Sequence, residues 1–231
     1  MLKRSSIEDM VREGLVKDIF KMEQSYLLLK TIGQKFSDVN IDRLNSFTSL
    51  FRTIHYSLQT EAILAAARIY DQPSKIYPTR CLRGLLQFLA SKTNELPSIR
   101  EPYQLALHLK YMGVPEELII CANEGSMIFA NVFSQYIDDL LNAPKRIDTI
   151  SKLKIFRDKV LAHNESTETE IFGPTWGALE DLINISKNVV GVLGWAYFST
   201  AYVIEGDYIL TEDANRASHS INSLFEIISK E

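Results

Sequence analysis

The sequence predicts an all-α fold, a helical bundle with no sheet, formed by a single domain over residues 1–231. Three observations carry that expectation. Apolar residues recur at helical spacing along almost the whole chain. The Val-Ile-Tyr-Thr alternation that marks strands is sustained nowhere. Seven prolines and ten glycines are too scattered to make a linker, and 46% hydrophobic residues are enough for a sizeable core.

Ser5 or Ser6 suits the N-cap of a first helix running to about Phe36, with Met10, Leu15, Ile19, Met22, Tyr26 and Leu29 on its apolar stripe. Ser37-Asp38-Val39-Asn40 breaks it. A second long helix follows through Ile54, Leu58, Ala62, Ala65 and Ile69 and ends near Tyr70-Asp71, ahead of a loop marked by Pro73 and Pro78. Shorter helices are expected over residues 80–92 and 101–111. Pro115 fits the first turn of the next helix, which is read as continuous to Leu141. Asn142-Ala143-Pro144 ends that element, and another helix spans about residues 146–163. The polar run from Asn164 to Glu170 is a loop by composition. Pro174-Thr175-Trp176 opens a helix that leads into the uncharged stretch Asn188–Ile204, and residues 212–229 close the chain.

Charge and cysteine usage narrow the functional classes. A formal net charge of −4 argues against a protein that coats nucleic acid nonspecifically. Cys81 and Cys121 are isolated and fit no CxxC pattern, so a reduced, cytoplasmic location is expected. The N-terminus places Glu8 and Asp9 where a signal peptide needs its apolar region. The uncharged stretch is shorter than the roughly 20 apolar residues of a membrane span and contains Gly191, Gly194, Ser199 and Thr200. A buried central helix is expected there, not a membrane anchor.

The chemistry concentrates in Arg157-Asp158-Lys159-Val160-Leu161-Ala162-His163-Asn164. Between Lys145 and Lys159 there are six cations against two acids, Asp148 and Asp158. Such a helix attracts a phosphate backbone, although a solvated face with cations toward the helix C-terminus has the same composition. Thr149, Leu153, Phe156, Val160 and His163 follow helical spacing, so the histidine extends the inward stripe. Partial burial beside cations favours a neutral imidazole, the form that acts as a base. In an ideal α-helix, Arg157 and His163 are separated by roughly 9 Å of rise and about 120° of rotation. Two copies of the helix meeting across a two-fold axis would bring each histidine toward the other copy's arginine. Asp158 either orients Arg157 or a histidine of the second copy through a charge-assisted hydrogen bond, or pairs with Lys154 one turn back. Asn164 is a C-terminal cap residue that could also donate to a phosphate.

Eleven arginines and four histidines produce an Arg-to-His spacing of this kind about 0.5 times by chance, so the neighbours matter more than the pair. Arg157-Asp158-Lys159-x-x-Ala162-His163 resembles the Arg-(four to six residues)-His signature of the HEPN superfamily, in the form typical of abortive-infection AbiU-type proteins. Tyr56-Ser57-Leu58-Gln59-Thr60-Glu61-Ala62, with Ala65 to Asp71, is similar to that family's second helix and its closing aromatic-Asp pair. Thr175-Trp176-Gly177-x-Leu179-x-x-Leu182 and Leu193-Gly194-Trp195-Ala196-Tyr197 extend the likeness, which covers about residues 50–205.

The resemblance implies a helical fold, a homodimer and, in many members, metal-independent endoribonuclease activity in phage defence or as a toxin. It makes Arg157 and His163 the catalytic pair with Asp158 between them, while the basic helix itself offers Lys154, Lys159 and Asn164 as substrate-binding residues. It implies RNA and an antitoxin or regulatory protein as partners, with no cofactor and no metal. Relatives silenced through a tyrosine two residues after the histidine have no counterpart here, where that position is Glu165. The alternatives are a non-catalytic dimeric scaffold that binds RNA, a nucleotide or a protein, and a dimer in which Arg157 and His163 are purely structural.

Elsewhere the sequence offers less. His55, His108 and His219 have no second ligand at metal-binding spacing, and phosphate-loop, dinucleotide and nucleophile-elbow motifs do not occur. Tyr70, Tyr77, Tyr103 and Tyr111 either stack on unpaired bases or pack at helix ends.

Overall fold

A computed structural model describes residues 6–38, 45–74, 76, 79–91, 96–162 and 172–230. Helix α1, Ile7–Met10, starts where Ser6 accepts the Asp9 amide through its side chain at 3.1 Å. A π-helical turn over Val11–Leu15 joins it to α2, Val16–Asp38. Gly14 lies in that turn because a Cβ there would come within 2.3 Å of the Arg80 side chain. The close approach lets Arg80 grip Asp9 with two hydrogen bonds, at 2.9 and 3.0 Å.

Helix α3, Thr48–Tyr70, runs antiparallel to α2, with Arg68 near its end donating to Asp18 near the start of α2 at 2.8 Å. Helix α10, Leu210–Lys230, packs on the other side of α2. At the far end of these three helices a second, small core forms from Ile32, Phe51 and Phe225. The rings of Phe36, Phe51 and Phe225 lie 5.0–5.8 Å apart there.

The main core surrounds α9, Trp176–Leu193, whose Leu182, Val189, Val190, Val192 and Leu193 are fully buried. Against it pack α2, α3, α5 (Pro102–Tyr111) and α8 (Pro144–Phe156). Helices α4, Leu82–Ala90, and α7, Ser126–Leu141, pair beside them. Tyr70 anchors α3 to α9: its hydroxyl donates to the Leu182 carbonyl at 2.5 Å and lies 2.7 Å from Ser186 Oγ. Burial pushes its ionisation far above the ordinary tyrosine range, so the hydroxyl remains a donor. This tyrosine is part of the core and offers no face for base stacking.

Three expectations need correction. The helix read as continuous from Pro115 to Leu141 is two, α6 (Glu116–Cys121) and α7, because Gly125 adopts φ +124°, closed to helical continuation. The uncharged stretch does not stay helical to Ile204: α9 passes into a π-helical turn, Gly194–Phe198, and Ser199 ends it with φ 48°. The fold also contains a small sheet. Strands β1 (Val203–Ile204) and β2 (Asp207–Tyr208) pair antiparallel across Glu205 (φ 52°) and Gly206 (φ 93°), the two positive φ angles of a type I′ turn. Two-residue strands are too short to leave an alternating pattern. Among the described residues, no helix is long and apolar enough to cross a membrane.

Candidate functional site

Helix α8 begins with Pro144 at its first turn, where a missing N–H costs nothing. Thr149 and Leu153 face the core, while Lys152 and Lys154 face outward. Arg146 fixes the helix in place. It donates to both Asp181 oxygens on α9, at 2.8 and 3.2 Å, and to the Leu140 carbonyl at 3.1 Å. Lys152 pairs with Asp148 at 2.7 Å within the helix. The folded chain thus brings Asp71 and Asp181 to a helix whose own sequence counts only Asp148 and Asp158 as acids. Its positive field is weaker than the local composition suggests.

After Phe156 the chain changes register and forms a π-helical turn over Arg157–Ala162. The rise and rotation of an ideal α-helix therefore do not apply to the motif, and π turns are frequent at functional sites. Arg157 is held from two sides. Its Nε donates to Asp158 at 2.6 Å, and one terminal nitrogen donates to Asp71, just past the end of α3, at 2.7 Å. The hydrogen bonds that it donates to Asp158 and to Asp71 outweigh burial, raise the arginine's pKa further and keep the guanidinium charged. Its side chain is 22% exposed, against 38% for Asp71 and 41% for Asp158, so the cluster is half open. Asp71 also accepts the Gln72 amide at 2.9 Å, which fixes its carboxylate.

Beside this cluster is a cavity of about 260 Å³. Asp71, Gln72, Arg83, Ser151, Lys154 and Arg157 supply its polar wall, and Ala67, Ile147, Ile150 and Leu153 its apolar one. Of the residues singled out in the sequence, Arg157 and Asp158 come together here, Lys154 lines the same cavity, and Lys159 is exposed on the adjoining turn. His163 and Asn164 lie outside the described residues. Asp71, Gln72, Ser151 and Arg83 were missed as site residues. For Asp71 the signal was its place in the helix-closing Tyr70-Asp71 pair, and for Arg83 the sequence held none.

The remaining histidines stand apart from the site. His108 is buried against Gly191, where a Cβ would come within 2.7 Å of its ring, and burial lowers its pKa. His219 sits on α10 beside Asn215, 3.2 Å away. Among the described residues, no three His, Cys, Asp or Glu side chains converge as a metal site would require.

In chemical terms the cluster is a charged guanidinium set in place by two carboxylates on a cavity wall. Only two of its five N–H groups are engaged with described residues, leaving donors to meet an anionic oxygen. A model of the AbiU2 family, within the HEPN group, matches residues 5–219. No curated protein and no solved structure matches the chain.

Proposed function

The chain belongs to the AbiU2 family of HEPN proteins, and from that membership and the setting of Arg157 we propose that it is a metal-independent endoribonuclease of phage defence or toxin type. The observation that carries this reading is the Arg157 guanidinium, held by Asp158 and Asp71 at the mouth of the cavity with donors to spare. In the proposed reaction a ribose 2′-oxygen attacks the adjacent phosphorus and His163 accepts the hydroxyl proton. Arg157 balances the charge that develops on the phosphorane oxygens. The P–O5′ bond then breaks, and the departing oxygen takes the proton that His163 accepted, which returns the imidazole to its neutral form. The products are a 2′,3′-cyclic phosphate and a 5′-hydroxyl. Lys154, Lys159 and Asn164 hold flanking phosphates, and an antitoxin or other regulatory protein restrains the activity.

The second copy completes the site. Ile147 and Ile155 are 50% and 44% exposed, one turn either side of Ser151 on the outer face of α8. Apolar residues presented on the motif helix suit a self-complementary contact that brings two motifs together.

A second reading draws on the same ion pairs. Arg157 bonded to two carboxylates also suits a structural joint, in a dimeric scaffold that binds RNA, a nucleotide or a protein without cutting. Incubating purified protein with single-stranded RNA in EDTA separates the two. A ribonuclease yields cyclic-phosphate ends that disappear in both Arg157→Ala and His163→Ala. Cleavage at the wild-type rate in both variants would rule the mechanism out.

A further inference from the structure

A second groove continues from the cavity at Arg157, with Gln72 and Arg83 lining both. It runs between α4 and α7 and holds about 510 Å³, within the range of sites that bind small organic molecules. Its lining differs from that of its neighbour. Four carboxamides, Gln72, Gln87, Asn131 and Gln135, surround an apolar floor that includes Leu86. The charges there cancel: Arg83 donates to Asp138 and to Asn142, each at 3.3 Å. The buried Ser134 hydroxyl on the same lining has no hydrogen-bond partner among the described residues.

We infer that this groove is a base-binding subsite, taking one unpaired RNA nucleobase next to the phosphate held at Arg157. The inference rests on the ribonuclease reading for its substrate class. The two compartments divide the polarity of a nucleotide: Arg157 and Lys154 border one, and neutral amides line the other. A carboxamide carries donors and an acceptor in one plane, matching the mixed pattern on a base edge, and a phosphate has no use for the acceptor. An apolar floor accepts the flat face of the base. Gln135 is steadied by its bond to Asp139 at 2.8 Å, while the Gln87 and Asn131 amides bond no other described side chain. Gln87 and Asn131 are therefore the residues assigned to read the base.

The test sequences the ends of fragments cut from a random single-stranded RNA pool, and in parallel measures binding of oligo(A), oligo(C), oligo(G) and oligo(U). The wild-type chain is expected to prefer one base beside the cut by about 5-fold or more, a typical discrimination for a good bidentate contact. Gln87→Ala and Asn131→Ala reduce that preference to about 2-fold or less. Gln87 is exposed, so its variant keeps the test valid if Asn131→Ala fails to fold. A preference unchanged in both folded variants overturns the groove and leaves the ribonuclease standing. If the wild type cuts nothing, yet binds one homopolymer preferentially and loses that in Gln87→Ala, the groove stands and the ribonuclease falls. No base dependence in cutting or binding, or tighter binding of free nucleoside monophosphates than of any oligomer, overturns the subsite.

Discussion

Lys187 and Arg157 are both cations paired with carboxylates from another helix, and they sit in opposite surroundings. Lys187 on α9 is 15% exposed and meets Glu23 of α2, which is 5% exposed. Thr211 closes the cluster by donating to Glu23 at 2.8 Å, and the Tyr208 ring lies 5.2 Å from the ammonium. Protein covers most of this pair, which ties α2, α9 and α10 together, and Lys187 also lines a pocket of about 420 Å³ with Tyr208 and Thr211. Arg157 meets Asp71 and Asp158 on a cavity wall, with donors left over. The better-buried pair supports the fold, whereas the more exposed cluster keeps donors that can meet a ligand.

The largest effect is expected where the charge is enclosed. Lys187→Ala leaves Glu23 buried without its counter-charge, and one Glu23 oxygen already has no hydrogen-bond partner among the described residues. Loss of one member of a buried pair costs about 3–5 kcal/mol, readable as a shift in the urea midpoint at constant slope. A midpoint within about 0.5 kcal/mol of wild type would show that the pair is not enclosed as described. Replacing both members, Lys187→Met with Glu23→Leu, should restore most of the loss.

Arg157→Ala is expected to invert that pattern. Cleavage falls about 100- to 1000-fold, the usual consequence of removing a donor to a developing oxyanion. Unfolding shifts by less than about 1 kcal/mol, because the cluster is half open. A large loss of stability with unchanged cutting would move Arg157 into the same class as Lys187. Asp71→Asn should be milder. It keeps a hydrogen-bond acceptor but loses the charge, so the guanidinium is less firmly placed and the turnover rate falls about 10-fold. Substrate affinity should change little, and a purely affinity-based loss would argue against a positioning role for Asp71.

The elements were more legible in the sequence than their encounters. Met10, Leu15, Ile19 and Met22, read as one stripe, are all buried, because helical periodicity is a local signal. The likeness to HEPN proteins was traced over residues 50–205, while the family match reaches from 5 to 219 and takes in α1 and α2. Register changes escaped notice, since the stripes were read on a uniform 3.6-residue period and each π turn interrupts it for only five or six residues. The hairpin at Glu205-Gly206 was too short to show a period. At the site, Arg157 and Asp158 were visible as neighbours, but Asp71 lies 86 residues away and reaches them only through the packing of α3 on α8. Arg83 was similarly hidden, arriving from α4 through tertiary structure alone.

The smallest effects should separate enclosed from open pairs by the sign of a pH slope. Arg146 donates to Asp181 and holds its carboxyl below the usual range, the hydrogen bond outweighing burial. Asp18 receives Arg68, yet burial outweighs that bond and pushes its carboxyl up. A depressed acid adds stability above its unfolded pKa of about 3.9 and loses it as pH falls through the lower folded value. A raised acid does the reverse: its contribution is full below about pH 3.9 and fades as pH rises through the higher folded value. Relative to wild type, Asp181→Asn should therefore lose stability between pH 3 and 7, by less than about 1 kcal/mol because the pair is partly exposed. Asp18→Asn should gain over the same interval. Melting temperatures of the two variants and wild type across that range provide the check, and slopes of the same sign would remove the distinction between enclosed and open acids.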